Sequence, residues 1–269
     1  MRTDCILQKK SDKGLIRNKN EDRVEVLYHP ADPDIKLLAV ADGMGGRRYG
    51  EIASSFVIDK LCYWFCSLSS DILNQTVTVV DLLRIEIDKW NEELIFNYGE
   101  NCLGTTLTLA LVNKTKTIIL NIGDSRCYIY KDKNLLQVTD DDSNVWLYYK
   151  KGQVEKDDLR YFSTSNIINA CIGLNRELCK VKSIILDNNN YELLLLVTDG
   201  ITDLLTDEKI KFLINNNRKE QILDNIVKEA VYVDQDLCIP SRLKRRYFES
   251  FYVPSHGKDN ASAAIFIKN

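Results

Sequence analysis

Four aspartates lie at the ends of apolar runs that are typical of β-strands. Asp42 follows "LLAVA", Asp124 follows "IILNIG" and Asp199 follows "LLLLVT", whereas Asp259 comes shortly before "SAAIFIK". Aspartate favours turns next to glycine, which would explain any one of these positions. Four aspartates placed in this way, three of them beside a glycine, indicate instead that the fold brings several carboxylates to one place.

Converging carboxylates repel one another, so their pKa values would be raised unless a divalent cation neutralised them. A site of oxygen ligands favours a hard ion such as Mg²⁺ or Mn²⁺ over Zn²⁺, and the chain has only two histidines, His29 and His256. Gly43 follows Asp42 directly, and its missing side chain would let a backbone carbonyl approach the ion as a further ligand. The stretch "DGMGG" (residues 42–46) is therefore interpreted as a metal-binding turn.

Composition and motifs argue against several other functions. A dinucleotide-binding G-x-G-x-x-G motif would need glycine in place of Arg48, and the chain has neither a G-x-x-x-x-G-K-[ST] phosphate loop nor a G-x-S-x-G nucleophile elbow. The formal net charge of −3 offers no basic surplus for nucleic acid. No apolar run has the length of a membrane span or signal peptide, and the eight cysteines form no C-x-x-C pair. We therefore expect a cytoplasmic protein with free thiols and no membrane association.

The elements that must position the aspartates are both strands and helices. Strands are predicted at residues 23–28, 36–42, 105–112, 116–124, 127–131, 192–199 and 262–268. The short polar connection "NKTK" between the third and fourth strands indicates an antiparallel hairpin. Apolar residues at helical spacing predict four helices: over 49–65, around Leu83, Ile87, Trp90 and Leu94, after the N-cap Thr206, and around Ile222, Leu223, Ile226, Val227 and Ala230. These elements predict helices that cover antiparallel sheets, while about 139–180 and 232–258 lack clear periodicity.

Six segments resemble, in order and approximate spacing, the motifs of the metal-dependent protein serine/threonine phosphatases of type 2C, most closely the compact bacterial form. They are "GLIRNKNED" (14–22), "VADGMGG" (40–46), "LGTTLTLALV" (103–112), "NIGDSRCYIY" (121–130), "LLLVTDGITD" (194–203) and "KDNASAAIFI" (258–267). The resemblance implies an α+β fold, a four-layer αββα sandwich of two antiparallel sheets flanked by helices. It also implies one catalytic domain over residues 1–269, with a flap-like segment at about 139–180 and a variable insertion at 232–258.

The resemblance further implies a site for two Mg²⁺ or Mn²⁺ ions. Asp42 would bridge both ions, and Asp199 and Asp259 would complete the first. The second ion would be held, partly through water, by three groups: Glu21, Asp22 and the Gly43 carbonyl.

Bacterial members of that family often bind a third, weaker ion, and the matching positions here are Asp124 and Asp203, with Asp199 shared. Arg17 matches the phosphate-binding arginine of the family, and its planar fork suits two phosphate oxygens. The implied chemistry is direct attack on phosphoserine or phosphothreonine by a water or hydroxide bound between two metal ions, without a phosphoenzyme. Asp42, Asp199 and Arg17 are thus the candidate catalytic residues.

The chain departs from the family pattern at three places. Met44 stands where many eukaryotic relatives have a histidine thought to protonate the leaving group, which methionine cannot do. Asp142 replaces the histidine of a T-x-D-H-S motif. The way in which the family handles substrate beside the flap-like segment is therefore not transferred to this chain. The insertion also carries four basic residues that are either a solvated surface or a docking site for an acidic or phosphorylated partner: Arg242, Lys244, Arg245 and Arg246.

The leading functional hypothesis is a phosphatase for phosphorylated proteins, the targets of a serine/threonine kinase, acting as a monomer. One alternative is a catalytically silent module with the same fold, but such a module should lose metal carboxylates, and Asp42, Asp199 and Asp259 are all present. The other alternative is a phosphatase for a small phosphorylated molecule, because the catalytic machinery does not depend on what carries the phosphate. Resemblance transfers the reaction more safely than the target.

Overall fold

The structure of the chain is a computed structural model that describes residues 5–44, 49–165, 167–176, 181–233, 237–246 and 250–268. Its strands are β1 (Ile6–Asp12), β2 (Arg23–Tyr28), β3 (Lys36–Ala41), β4 (Gly43–Met44), β5 (Gly104–Thr105), β6 (Leu107–Val112), β7 (Lys116–Ile122), β8 (Arg126–Lys131), β9 (Asn134–Gln137), β10 (Lys182–Asp187), β11 (Leu193–Val197) and β12 (Ala261–Ile267). Its helices are α1 (Gly50–Ser67), α2 (Ser70–Leu73), α3 (Thr76–Tyr98), α4 (Asn144–Lys150), α5 (Asp199–Thr202), α6 (Asp207–Asn216), α7 (Ile222–Tyr232) and α8 (Ser241–Arg246). Short 3₁₀ helices cover Lys156–Tyr161, Asn188–Asn190 and Lys219–Gln221.

Ten of these strands form two sheets of five strands each. The order is β1-β12-β11-β8-β9 in the first sheet and β10-β7-β6-β3-β2 in the second, while β4 and β5 make a separate two-stranded ribbon. Every strand pair is antiparallel. The predicted hairpin is confirmed, since β6 and β7 pair on either side of "NKTK".

The central strands are buried on both faces. Leu38 of β3 packs between the two sheets with Leu194 and Leu196 of β11, whereas the neighbouring Leu37 belongs to the core beneath the helices. Leu195 of β11 likewise faces the helical side of its own sheet. Because successive side chains of a strand point to opposite faces, a strand covered on both sides has a continuous apolar run rather than an alternating one.

Helices form the two outer layers. Apolar residues of α1 and α3, such as Leu61 and Trp90, pack on the second sheet, and those of α6 and α7, such as Ile210 and Ile226, pack on the first. Thr206 caps α6 as predicted, because its hydroxyl accepts the Lys209 N–H at 3.1 Å. The predicted four-layer αββα sandwich is therefore confirmed, as are the seven predicted strands and four predicted helices, with shifts at their ends.

Three of the four edge strands and the shortest helices were not predicted from the sequence. β1, β9 and β10 are edge strands with exposed or half-buried side chains, so their sequences lack the apolar runs of the central strands. Helices α2, α4, α5 and α8 have four to seven residues, which is too short for a helical repeat of apolar residues to be recognised.

The two regions without periodicity pack against each other. Trp146, Leu159 and Phe162 from the flap-like segment share an apolar cluster with Leu243 and Phe251 from the insertion. This cluster is separate from the three cores of the sandwich. The apolar residues of both regions thus form one small core, although they are far apart in the chain. This explains why neither region alone shows the apolar periodicity of a helix or a strand.

No helix in the described part of the chain is both long and apolar enough to cross a membrane. The longest, α3, has 23 residues, and charged side chains are spread along it. The organisation of residues 1–269 as one catalytic domain stays a prediction.

Candidate functional site

The predicted metal-binding aspartates all lie at one end of the sandwich. Asp42 directly follows β3, Asp124 lies in the turn between β7 and β8, and Asp199 begins α5 after β11. Asp203 is the C-cap of α5, and Asp259 lies just before β12. The antiparallel register brings these strand ends together, because β12 begins beside the residues where β11 ends.

Backbone contacts hold Asp42 in place. Its N–H donates to the Thr106 hydroxyl at 2.9 Å, and its carbonyl accepts from the Thr106 N–H, also at 2.9 Å. The Thr105 hydroxyl donates to the same carbonyl at 2.9 Å. Both backbone groups of Asp42 are therefore satisfied by Thr105 and Thr106, the residues just before β6, which fixes the position of its carboxylate at the end of β3.

Gly43 lies where three segments of backbone meet. A Cβ at this position would lie 2.2 Å from the Gly50 carbonyl oxygen and 2.5 Å from that of Glu21, so no side chain fits. Glycine is thus required for the approach of α1 and of the loop before β2. The predicted role of its carbonyl as a metal ligand stays a prediction. Gly45 and Gly46 of the same turn lie outside the described residues.

Asn260 was not assigned a role from the sequence, yet it joins two of the predicted motifs. Its Oδ1 accepts the Glu21 N–H at 2.8 Å, and its Nδ2 donates to the carbonyls of Lys13 at 2.8 Å and Lys19 at 3.0 Å. A Cβ at Gly200 would lie 1.9 Å from the Asn260 carbonyl oxygen, so this contact also needs glycine. Asn260 therefore fixes the loop of Glu21 against the loop of Asp259.

Asp22 is buried behind the cleft. Its Oδ2 accepts a hydrogen bond from the Thr198 hydroxyl at 2.9 Å, and that hydroxyl accepts the Ser262 N–H at 3.0 Å. Burial raises the pKa of Asp22 to about 7, and the nearby charge of Asp259 adds to this rise. Thr198 is a second residue whose role was missed, although it lies in the motif "LLLVTDGITD" (194–203).

Burial and mutual repulsion raise the pKa values of four further aspartates. The pKa values of Asp42 and Asp199 lie well above the ordinary range, first through burial and then through the charges of neighbouring aspartates. The same causes raise the pKa of Asp124 to about 7, and burial raises that of Asp203 to about 6 against the lowering effect of nearby arginines. With Asp22, these residues are called the acidic cluster below.

The acidic cluster fits a divalent cation by its donor chemistry. All of its side-chain donors are carboxylate oxygens, and Oδ1 of Asp199 is buried with no hydrogen-bond partner among the described residues. No three His, Cys, Asp or Glu side chains of the described chain already stand close enough around one point to hold a metal ion. The fit thus rests on the oxygen donors, the unpaired Asp199 oxygen and the repulsion that a cation would relieve.

Arg17 lies in the exposed loop between β1 and β2, at the mouth of the cleft. Its Nη2 donates to Oδ2 of Asp259 at 2.7 Å, and its Nη1 lies 3.6 Å from Oε2 of Glu21. The structure therefore pairs the predicted phosphate-binding residue with two of the predicted metal ligands. The guanidinium is half exposed and can face an anion that enters the cleft.

Asp142, which replaces the histidine of the family motif, holds the turn of Asp124. Its carboxylate accepts the Gly123 N–H at 3.0 Å, and its own N–H donates to the Gly123 carbonyl at 3.0 Å. Gly123 has a φ of +101°, which glycine adopts without strain. Met44 lies in β4, and its backbone pairs with Gly104 in the two-stranded β4–β5 ribbon beside Asp42.

A second group of charges, which the sequence analysis did not predict, adjoins the acidic cluster. Arg126 donates through Nε, at 3.0 Å to each oxygen, and through Nη2, at 2.7 Å, to the carboxylate of Asp141. Asp207 accepts from the Tyr128 hydroxyl at 2.9 Å and from the Lys156 ammonium at 2.5 Å. These five residues are called the paired cluster below, because each charge in it has an opposite partner.

One cavity joins the two clusters. Its charged lining consists of three cations, those of Arg126, Lys156 and Arg160, and of five carboxylates, those of Asp124, Asp141, Asp157, Asp199 and Asp203. A neighbouring cleft shares Asp203 and continues along Tyr252, Lys258 and Asp259. A concave polar site with both signs of charge suits a phosphate ester, whose oxygens need positive partners.

The sequence of the chain matches a known protein family. The sequence model of the Protein phosphatase 2C family matches residues 18–229. The serine/threonine phosphatase stp of Listeria welshimeri is 30% identical over 220 residues, which are 78% of this chain and 82% of the relative. The family match ends before Asp259, so the last motif rests on the sequence resemblance and on its position in the fold.

Solved structures agree with the sandwich over the full length of the chain. The crystal structure of serine/threonine phosphatase Stp1 from Staphylococcus aureus has a TM-score of 0.81 and 29% identity, covering 100% of this chain and 96% of that one. The catalytic domain of the serine/threonine protein phosphatase PstP in complex with two manganese ions has a TM-score of 0.72 and 23% identity, covering 98% and 97%. At that identity, the second likeness supports the fold.

Proposed function

The chain belongs to the protein phosphatase 2C family and is a protein serine/threonine phosphatase, and we propose that its acidic cluster binds two divalent ions, Mg²⁺ or Mn²⁺, for this reaction. When bound, such ions offset the charge of the phosphoryl oxygens and lower the pKa of a water molecule. The proposal is supported by the oxygen donors of the cluster and by the unpaired oxygen of Asp199. The two manganese ions of PstP are consistent with it.

We assign the ligands as the sequence motifs suggest. Asp42 would lie between the ions, with Asp199 and Asp259 on one side. On the other side would lie three groups: Glu21, Asp22 and the Gly43 carbonyl. Asp124 and Asp203, with Asp199, would hold a third and weaker ion. Support comes from the raised pKa values of Asp42 and Asp199, which show how strongly the protein opposes negative charge there without a cation.

The remaining residues bind and orient the substrate. Arg17 would donate to two phosphoryl oxygens with the N–H groups that here contact Asp259 and Glu21. Asn260 would keep the loop that contains Glu21 beside Asp259 through its three hydrogen bonds. Met44 has no proton to give, so water or another group would supply the proton with which the serine or threonine hydroxyl leaves.

The substrates are phosphoproteins, and we propose that they are the targets of a serine/threonine kinase. The open cleft at the end of the sandwich supports this, because Arg17 lies at its exposed rim, where a polypeptide can approach. We further propose that the protein acts as a monomer in the cytoplasm.

The observation that carries the proposal is the group of carboxylates around Asp199, whose Oδ1 is buried and has no hydrogen-bond partner among the described residues. The test measures hydrolysis of p-nitrophenyl phosphate and of a phosphothreonine peptide by the purified protein, with and without Mn²⁺. We expect turnover of both substrates only with metal, and a loss of at least about 100-fold in kcat/KM for Asp199→Asn. Asp187→Asn, which alters an exposed carboxylate at the opposite end of the sheet, is the matched control and should keep full activity.

Three results would contradict the account. Absence of metal-dependent turnover would favour the silent module. An undiminished rate in Asp199→Asn would show that the acidic cluster is not needed for the reaction. Turnover of p-nitrophenyl phosphate without turnover of the peptide would favour a small phosphorylated substrate.

A further inference from the structure

The insertion is bound to the flap-like segment by contacts from two of its described parts, 237–246 and 250–258. Phe251 stacks edge-on against Phe162 with ring centroids 5.1 Å apart, and the Ser163 N–H donates to the Ser250 carbonyl at 3.0 Å. Leu243 of α8 is buried in the same apolar cluster. The insertion also lines the cleft that contains Asp203 and Asp259, through residues such as Tyr252 and Pro254.

Arg242 strengthens this attachment. Its Nε, at 3.0 Å, and its Nη2, at 2.7 Å, both donate to the carboxylate of Asp158, which is buried in the flap-like segment. Arg242 therefore already has an internal partner, which weakens the hypothesis that the basic residues form one docking site. The side chains of Arg245 and Arg246 lie outside the described residues.

The insertion reaches the acidic cluster at Tyr252. The Tyr252 N–H donates to the Tyr161 carbonyl at 2.9 Å, which fixes the backbone against the flap-like segment. The Tyr252 hydroxyl donates to Oδ2 of Asp203 at 3.2 Å and lies 3.5 Å from the Ser165 hydroxyl. On the other side, Nη1 of Arg160 donates to the Asp203 carbonyl at 3.2 Å. Asp203 is thus held at both its carboxylate and its backbone.

The side chain of Tyr252 is in contact at both its ring and its hydroxyl. The Lys258 ammonium lies 5.3 Å from the centre of the Tyr252 ring. The Tyr252 hydroxyl contacts Asp203, which lines both the cavity and the neighbouring cleft. Tyr252 also lies beyond residue 229, where the family match ends. The contact therefore joins Asp203, which lies in a family motif, to a residue that lies in none of the six motifs.

We propose that Tyr252 is a positioning residue whose hydroxyl fixes the Asp203 carboxylate toward the acidic cluster, and thereby sets how tightly the site holds the ion that Asp203 contacts. Hydrogen bonds to metal-binding carboxylates orient the ligand, and losing one typically weakens metal binding about 10–100-fold. This inference rests on the proposed function, because it takes Asp203 to be a ligand.

The test is a titration of metal-free protein with Mn²⁺, in which electron paramagnetic resonance measures the free ion. Tyr252→Phe keeps the ring and the contact with Lys258 but removes the hydroxyl. We expect one class of bound Mn²⁺ to bind about tenfold more weakly, with the tighter class unchanged. The matched control is Tyr130→Phe, which removes a 2.6 Å hydrogen bond to Asn215 at the opposite end of the first sheet and should titrate as the wild type does.

A second pair of variants identifies Asp203 as the route of the effect. Asp203→Asn should lose the weak class of bound Mn²⁺, and adding Tyr252→Phe to it should change nothing further. The inference is overturned if Tyr252→Phe titrates as the wild type does, or if it weakens binding equally with Asp203→Asn present. A wild-type protein that binds no Mn²⁺ would instead overturn the proposed function, and this inference with it.

Discussion

Two charged clusters lie side by side at the same end of the sandwich, and they differ in how their charges are compensated. Asp124 of the acidic cluster and Arg126 of the paired cluster are only two residues apart. Arg126 makes three hydrogen bonds to Asp141, whereas Oδ1 of the nearby Asp199 has no partner among the described residues. The charges of the paired cluster are balanced within the chain, whereas in the proposed function the acidic cluster is balanced by a cation.

The difference separates a structural role from a functional one. A buried ion pair costs desolvation energy, and removing one partner leaves an unpaired charge in the protein. The paired cluster therefore holds β8, α6 and the flap-like segment in a fixed arrangement. The carboxylates of the acidic cluster repel one another, and in the proposed function a divalent ion relieves this repulsion. We therefore expect the acidic cluster to destabilise the metal-free fold.

The largest expected effect is that of Asp42→Asn. The amide cannot bridge two cations, so kcat/KM on a phosphothreonine peptide should fall at least about 100-fold at saturating Mn²⁺. The same change removes a carboxylate whose pKa is raised by burial and by Asp22, so the metal-free variant should be more stable than the wild type at pH 7.5. Urea unfolding measures the stability of the metal-free variant. A lower free energy of unfolding than that of the wild type would contradict the claim that repulsion between these carboxylates destabilises the metal-free fold.

A smaller but opposite effect on stability is expected in the paired cluster. Arg126→Met leaves Asp141 buried without its partner, and the free energy of unfolding should fall by about 3–5 kcal/mol. The double variant Arg126→Met with Asp141→Leu should recover most of this loss, because both charges are then removed. If the double variant is no more stable than the single one, the ion pair is not the cause of the loss.

The smallest effect is expected for an exposed ion pair of the outer helices. Lys60 and Glu93 are 2.7 Å apart across α1 and α3, with about 40% of each side chain exposed. Lys60→Met should change the free energy of unfolding by no more than about 1 kcal/mol, because solvent screens such a pair. A loss as large as that of Arg126→Met would mean that burial does not explain the difference between the pairs.

The layers of the fold and the position of the acids could be predicted from the sequence because both depend on local patterns. A strand buried on both faces needs a continuous apolar run, so β3 and β11 were recognisable, and the aspartates that follow them were located with them. The edge strands β1, β9 and β10 need no such run, and their sequences gave no signal.

The rest of the site depends on contacts between residues far apart in the chain. Asn260 binds Glu21 across 239 positions, and Tyr252 binds Asp203 across 49. Asparagine and tyrosine occur widely on protein surfaces, so neither residue type indicates such a contact. The ion pair of Arg126 and Asp141 was missed for the same reason, since only the fold shows that both side chains are withdrawn from water.

The central claim is that the fold holds carboxylates together for a divalent ion, and thermal unfolding of the metal-free protein at pH 5.5 and 7.5 tests it most directly. The pKa values of Asp22 and Asp124 are about 7 and that of Asp203 is about 6 in the folded protein, above the ordinary carboxyl values expected after unfolding. The folded state therefore binds more protons than the unfolded state between about pH 4 and 7, and stability falls as pH rises through this window.

We predict that the metal-free protein unfolds at a lower temperature at pH 7.5 than at pH 5.5, and that Mn²⁺ raises the unfolding temperature more at pH 7.5. The slope is up to about 1.4 kcal/mol per pH unit for each carboxylate that titrates. Asp199→Asn should reduce both effects. An unfolding temperature that rises with pH in the metal-free protein, together with no response to Mn²⁺ at either pH, would contradict the account.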